Sequence, residues 1–194
     1  MEKTAEFPRL ETEHLILREL TEKDIHAMFP HYSDKEVWKY IDVYPAKDPR
    51  EILEAITWGK HLLKSNTGIL WGLFNKKDDS FVGEMNYVGR RDATIEGKIH
   101  RAEIGYNMVR KLWGKGLASE ALREIIRHIF NNTEIYRIEA LIRPANTRSR
   151  KLASRVGFQE EGTLRDYILW DGKYQDMLMY SLLKKEWQAN PITS

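Results

Sequence analysis

A mixed α/β domain, with a mostly antiparallel sheet and helices on both faces, is the fold class this sequence predicts. Three observations carry it. The strand-like and helix-like runs follow the order β-α-α-β-β-β-α-β-α-β-β, which contains seven strands. They do not alternate regularly, so the repeating βαβ pattern of a dinucleotide-binding fold is absent. The 194 residues are 42% hydrophobic, with no repeat, low-complexity stretch or Pro- or Gly/Ser-rich linker, which suits one domain over residues 1–194.

Each element has a local reason. His14–Leu20 partly alternates and reads as a first strand. Thr21, followed three residues later by Asp24, resembles a capping box and starts a helix that runs to about Tyr32. Asp48-Pro49-Arg50-Glu51 starts a second helix, with Pro at its first position and an apolar stripe of Ile52, Leu53, Ile56, Leu62 and Leu63. Ile69–Phe74 and Phe81–Gly89 are strands joined by the polar turn Asn75–Asp79. His100–Val109 is the next strand. Leu117, Ala118, Ala121, Leu122, Ile125, Ile129 and Phe130 recur at helical spacing. Ile135–Ile142 has the character of a buried strand. Asn146 is the expected N-cap of a short helix to about Arg155, closed by Gly157. Phe158–Trp170 and Lys173–Leu183 form a hairpin about Asp171-Gly172, and the tail beyond Trp187 is expected to fray.

Composition excludes several functions. Lys and Arg number 31 against 29 Asp and Glu, and the net charge of +2 argues against a chain built to coat nucleic acid. The absence of cysteine removes disulfides, Cys-ligated zinc, iron–sulfur clusters and any thiol nucleophile. The six histidines show no metal-ligand spacing and read as surface or packing residues, so no metal is expected. No apolar run reaches the roughly 18 residues of a membrane span. The opening Met1-Glu2-Lys3-Thr4-Ala5-Glu6 has no apolar stretch behind it, so the expected location is the cytoplasm.

The most informative stretch is Met108–Ala121, a strand, a tight glycine turn and a helix. Glycines let a ligand approach the backbone, and the first N–H groups of a helix have no internal partner. Together with the helix dipole they make an anion site suited to a phosphate or pyrophosphate. Arg110, Lys111 and Lys115 add positive charge. The spacing Gly114-Lys115-Gly116 fits neither a P-loop nor the Gly-x-Gly-x-x-Gly fingerprint, since position 119 is Ser. A Gly-rich connection that binds nothing is the alternative reading.

Further along come Asn146-Thr147-Arg148-Ser149-Arg150-Lys151 and then Gly157-Phe158. With the glycine turn, this pair of segments resembles the GCN5-related N-acetyltransferase (GNAT) superfamily. Trp113–Ala121, Asn146-x-x-Ser149 and the opening Leu15-Ile16-Leu17-Arg18 are similar to its branch that acetylates the N-termini of ribosomal proteins. The likeness covers about residues 12–185. It implies acetyl-CoA as co-substrate, its pyrophosphate on the amides of Gly114, Lys115, Gly116, Leu117, Ala118 and Ser119. It implies that Met108 and Val109 pair through their backbone with the pantetheine arm. The strand at 100–109 must then splay from the strand at 135–142. Trp113 stands where the superfamily has Gln or Arg.

Acetyl transfer to an amine needs a base for the amine, a polarised thioester carbonyl and a proton for the departing thiolate. Glu103, in mid-strand, is the candidate base, with a solvent-facing carboxylate paired to Arg101 or Arg137 as the alternative. Glu84, on the preceding strand, is the second choice. The resemblance makes Ser149 the candidate acid, because Ala153 stands where many relatives carry a Tyr. A first-turn Ser satisfying backbone donors is the alternative for Ser149. The resemblance also brings Asn146 to the pantetheine or acetyl region, and Arg148, Arg150 and Lys151 are candidates for the 3′-phosphate, with a solvated basic face as the alternative. Trp38 and Tyr44 are candidate walls of the acceptor site.

The function that follows is N-acetyl transfer from acetyl-CoA to a primary amine by direct attack in a ternary complex. The branch resemblance favours a protein N-terminus as acceptor. A small amine (aminoglycoside, polyamine or amino-acid analogue) and a non-catalytic acyl-CoA sensor are the alternatives. A homodimer is compatible with this reading, and neither membrane nor nucleic-acid binding is expected. Setting aside the six cations of the two ligand segments, the net charge of the remainder is −4, which suits a cationic amine.

Overall fold

The computed structural model describes residues 6–189. The elements are β1 (Leu10–Glu11), β2 (Leu15–Arg18), α1 (Ile25–Tyr32), α2 (Lys35–Trp38), α3 (Ile52–Lys64), β3 (Gly68–Asn75) and β4 (Phe81–Gly89). They continue with β5 (Thr94–Ile95), β6 (Lys98–Ile99), β7 (Arg101–Met108), α4 (Leu117–Asn132), β8 (Arg137–Ile142), α5 (Thr147–Val156), β9 (Gln159–Trp170), β10 (Lys173–Leu183) and α6 (Lys184–Ala189). No helix among the described residues is long and apolar enough to cross a membrane.

Contacts cluster into two compact units. Among the described residues, the first holds 6–88 and Gly105–Ile125, and the second holds Gly89–Ile104 and 126–189. In the first, the strand order is β1-β2-β3-β4-β7, with β7 entering from Gly105. In the second, the early part of β7 is followed by β8, β10 and β9. The strands β1–β4 and β7–β10 are eight, one more than expected. The addition is the two-residue β1, too short to show a period, which pairs antiparallel with β2. Pairing is antiparallel at β1/β2, β2/β3, β3/β4, β8/β10 and β9/β10, and parallel at β7/β8. That parallel ladder runs through three positions, from Arg101↔Arg137 to Glu103↔Glu139.

The first unit's core explains its helix placement. Met28, His31 and Tyr32 recur at i, i+3 and i+4, so one face of α1 is buried. Met28 and Tyr32 join Leu20, Trp38, Ile52, Ile56, Leu70, Phe74 and Phe81 in one apolar cluster. The capping box of Thr21 and Asp24 is present, but it opens a 3₁₀ turn over Glu22–Asp24 before α1 begins. Asp24 stays there because Arg18 holds both its oxygens, at 2.8 and 3.1 Å. Asp48 likewise caps a 3₁₀ turn, Pro49–Glu51, that leads into α3.

In the second unit, α5 buries Ala153 and Val156, and β10 buries Leu178, Tyr180 and Leu182. Gly157 closes α5 in the left-handed conformation, φ 103°. The β9/β10 hairpin forms as expected, with Lys173 opposite Trp170. Of the tail expected to fray beyond Trp187, α6 includes residues to Ala189, and the rest lies outside the described residues. The small β5/β6 hairpin and α2 were not anticipated, since elements of two to four residues are too short to carry a hydrophobic period.

Candidate active site

The glycine turn is built as an anion cradle. A 3₁₀ turn over Arg110–Leu112 follows β7, and Gly114 and Gly116 have φ of 77° and 85°, where only glycine is unstrained. A Cβ at either position would meet nothing within 4 Å, so the space beside the backbone is open. The carbonyl of Gly116 accepts from the amides of Ser119 (2.9 Å) and Glu120 (3.1 Å), which starts α4. The amides of Gly116, Leu117 and Ala118 precede the first internal helix bond, the position at which an oxyanion binds a helix end. Gly114, Lys115 and Gly116 are exposed, whereas Ser119 is buried. The residues present therefore fit a pyrophosphate.

Two side chains brace this turn. The Trp113 indole N–H donates to the Met108 carbonyl at 2.8 Å, tying the turn back to the end of β7. This gives a reason for Trp at a position where the superfamily has Gln or Arg. Glu120, in the first turn of α4, accepts from the His14 amide at 2.8 Å and lies 2.9 Å from His14 Nδ1. His14 is an exposed residue, within the surface or packing role expected of the histidines, and it anchors Glu120. Arg110 pairs with Asp34 at 3.3 Å, so its charge is shared with the protein.

The backbone at Met108 and Val109 is more committed than expected. The Val109 N–H donates to the Val82 carbonyl (2.9 Å), and the Val109 carbonyl accepts from Leu112 (2.9 Å). With Met108 O taken by Trp113, a pantetheine amide would share these carbonyls through their second lone pairs.

Beside that strand end, still in the first unit, lies a buried polar chain. Tyr32 donates its hydroxyl to Glu84 Oε2 at 2.5 Å, and Asn107 Nδ2 donates to Glu84 Oε1 at 3.0 Å. His31 Nε2 lies 2.5 Å from Asn107 Oδ1. Glu84 is 7% exposed and His31 3%. Burial pushes the Glu84 carboxyl above its ordinary range, against the two donors. Burial also pushes the His31 imidazole down to about 4. Trp38, expected as an acceptor wall, is core. It is buried, its ring lies 4.9 Å from that of Tyr32, and its indole N–H donates to the His31 carbonyl at 3.1 Å. Tyr44 is exposed. Reading the sequence passed over His31, Tyr32 and Asn107. The helical spacing of 28, 31 and 32 placed the first two on one face, but nothing local signalled Asn107.

In the second unit, Glu103 is 35% exposed on its side chain and pairs with Arg90 at 3.1 Å, rather than with Arg101 or Arg137. Arg101 pairs with Asp92 and Glu139, and Arg137 with Glu139 and Glu161. Burial raises the Glu103 carboxyl, Arg90 opposes the rise, and Glu139, its parallel-strand partner, adds to it. Asn146 caps α5, its Oδ1 accepting from the Ser149 amide at 3.2 Å. Ser149 is half-buried and Ala153 is buried. Arg150 reaches the Tyr180 hydroxyl, the Pro144 carbonyl and Glu160.

Residues 14–159 match the family model described as an acetyltransferase (GNAT) domain. The chain is 36% identical to the uncharacterized N-acetyltransferase p20 of Bacillus licheniformis, over 92% of this chain and 97% of that protein. It is 29% identical to the ribosomal protein uS5-alanine N-acetyltransferase of Escherichia coli, over 92% of each chain. The solved structure of RimL, a ribosomal L7/L12 alpha-N-protein acetyltransferase in complex with coenzyme A, shares the fold. The TM-score is 0.79 at 20% identity, covering 91% of this chain and 98% of that one.

Proposed function

Because the chain belongs to the GNAT acetyltransferase family, we propose that it moves the acetyl group of acetyl-CoA onto a primary amine, most specifically a protein N-terminus. The single observation that carries the cofactor half is the exposed Gly114–Gly116 turn, with two positive φ angles opening a 16-residue helix. The amides from Gly114 to Ser119 hold the pyrophosphate. Met108 and Val109 orient the pantetheine arm through their carbonyls, and Lys115 supplies unshared charge at the rim. The family resemblance also assigns Asn146, Arg148, Arg150 and Lys151, in the second unit, to acetyl-CoA. The acceptor half rests on relatives named for ribosomal-protein alanine acetylation. We assign the chain to one acyltransferase domain over residues 1–194.

The amine attacks the thioester carbonyl carbon directly; with no cysteine in the chain, there is no thiol to carry the acetyl group. As the C–S bond breaks, the thiolate takes a proton from Ser149 or from water. A hydroxyl is a weak acid, so Ser149→Ala should slow the reaction only about tenfold to a hundredfold. Glu103 and Glu84 are the two carboxylates available as base. Burial raises both carboxyls; the Arg90 ion pair opposes the rise at Glu103, whereas no cation stands among the hydrogen-bond partners of Glu84.

Calorimetry with acetyl-CoA tests the cofactor half, and absence of binding at millimolar ligand sinks it. A panel of peptides beginning with Ala or Ser, set beside aminoglycosides and polyamines and read as free CoA thiol, tests the acceptor. Turnover of small amines alone would replace the N-terminal reading. CoA binding without thiol release across the whole panel would favour a sensor.

A further inference from the structure

The buried chain of Tyr32, Glu84, Asn107 and His31 is too polar and too well connected to be packing alone. Glu84, when ionised, can only accept hydrogen bonds. Asn107 must therefore turn its Nδ2 to Glu84 Oε1, and its Oδ1 falls to His31. His31 then carries its proton on Nε2, and its Nδ1 is buried with no hydrogen-bond partner. Flipping the Asn107 amide would set oxygen against oxygen. The His31 bond therefore locks the amide in the one orientation that serves Glu84. The backbone is fixed as well: a Cβ on Gly83 would lie 2.4 Å from the Asn107 carbonyl oxygen, so β4 and β7 touch at this point.

The other side of Glu84 is different in kind. Oε2 accepts from a hydroxyl, which can reverse from donor to acceptor, whereas an amide N–H cannot. Glu84 is shielded from solvent, and of its two hydrogen-bond partners only the Tyr32 hydroxyl can hand it a proton. The groups facing the chain are few. Tyr32 and His31 come from α1 and Asn107 from β7, while Gly72, opposite Glu84 on β3, has no side chain. Asp34, at the start of α2, acts on His31 and is itself paired with Arg110.

We propose that these four residues form one proton-accepting unit, in which the Tyr32 hydroxyl passes the acceptor amine's proton to Glu84 while Asn107 and His31 position the carboxylate. The proposal rests on the acetyltransferase reading above. The acceptor arrives as an ammonium. One N–H proton moves to the Tyr32 oxygen as the Tyr32 proton moves to Glu84 Oε2, leaving a neutral amine, a neutral phenol and a carboxylic acid. The amine lone pair forms the C–N bond and the C–S bond breaks. A second N–H proton leaves to water, the thiolate is protonated, and Glu84 returns its proton to water through Tyr32. The net products are the amide, CoA thiol and one proton.

The test has a readout that does not need turnover. Infrared difference spectra across a pH titration, wild type against Glu84→Gln, isolate the Glu84 carboxyl band. Asn107→Leu should move its midpoint up by about one pH unit or more, because it removes a bond to the charged form, and His31→Leu should move it the same way by unlocking the Asn107 amide that makes that bond. His31→Gln, which can still donate to Asn107, should return it to within about half a unit. With a peptide beginning in Ala and acetyl-CoA, the acidic limb of kcat/KM should move with that midpoint. Tyr32→Phe should lower kcat about a hundredfold or more at unchanged acetyl-CoA affinity. An unmoved Glu84 midpoint in both Leu variants overturns the positioning roles, and wild-type turnover by Tyr32→Phe overturns the relay. Wild-type protein that releases no CoA thiol with any amine overturns the acetyltransferase reading itself, and the relay with it.

Discussion

Trp113 donates its indole N–H to the carbonyl of Met108 at 2.8 Å, so the glycine turn is tied to the strand end from which it leaves. The bond spans five residues and fixes where the chain enters Gly114. Trp113→Phe keeps most of the apolar contact and loses the donor. The expected result is a rise in acetyl-CoA Kd of about fivefold, the worth of one neutral hydrogen bond, with little change in Tm. Calorimetry and thermal unfolding on the same sample check it.

Gly116 has φ 85° and open space beside it, so its requirement is conformational. Gly116→Ala should destabilise the fold by about 1–2 kcal/mol through backbone strain. It should weaken acetyl-CoA binding as well, because the Ala methyl would occupy the open approach. An equilibrium urea denaturation series and a binding isotherm measure the two effects separately.

Glu103 is held by Arg90 at 3.1 Å and stands opposite Glu139. Its charge is balanced by the protein, which suits a structural carboxylate. Glu103→Gln should therefore change kcat by less than about fivefold and leave the acidic limb of the pH profile in place. A rate lost a hundredfold or more with that limb abolished would return the base to Glu103.

His31 bears on acid stability. Burial depresses its folded pKa to about 4 from an ordinary 6.5. The unfolded chain then binds the proton first, so the contribution is complete above pH 6.5 and is lost as pH falls towards 4. It amounts to about 3 kcal/mol across that window. His31→Gln does not titrate there, and its Tm should fall less between pH 6.5 and 4 than that of the wild type.

Asp24 gives a second acid-labile contribution at the entry to α1. Burial pushes its carboxyl up, but the Arg18 fork and the Thr21 amide and hydroxyl outweigh this and hold it low. A depressed folded pKa stabilises above the unfolded value and is lost as pH falls through the folded one. Asp24→Ala leaves the Arg18 guanidinium without its main partner. It should cost about 3 kcal/mol at pH 7, measured by urea denaturation.

Much was legible because it is local. Glycine at positive φ, a cap at Asn146, a left-handed Gly157 and the long apolar period of α4 are decided by residues within a few positions of one another, so the sequence alone determined the glycine turn and the order of the longer elements. The likeness carried by those segments also determined the family. The partners of Glu103 and Glu84 were decided only in three dimensions. Arg90 lies 13 residues from Glu103, while Tyr32 and Asn107 lie 52 and 23 residues from Glu84. Which carboxylate is neutralised by a cation and which is buried among neutral donors follows from strand pairing and helix packing. No local propensity encodes it, because a side chain's burial and partners are properties of the assembled sheet.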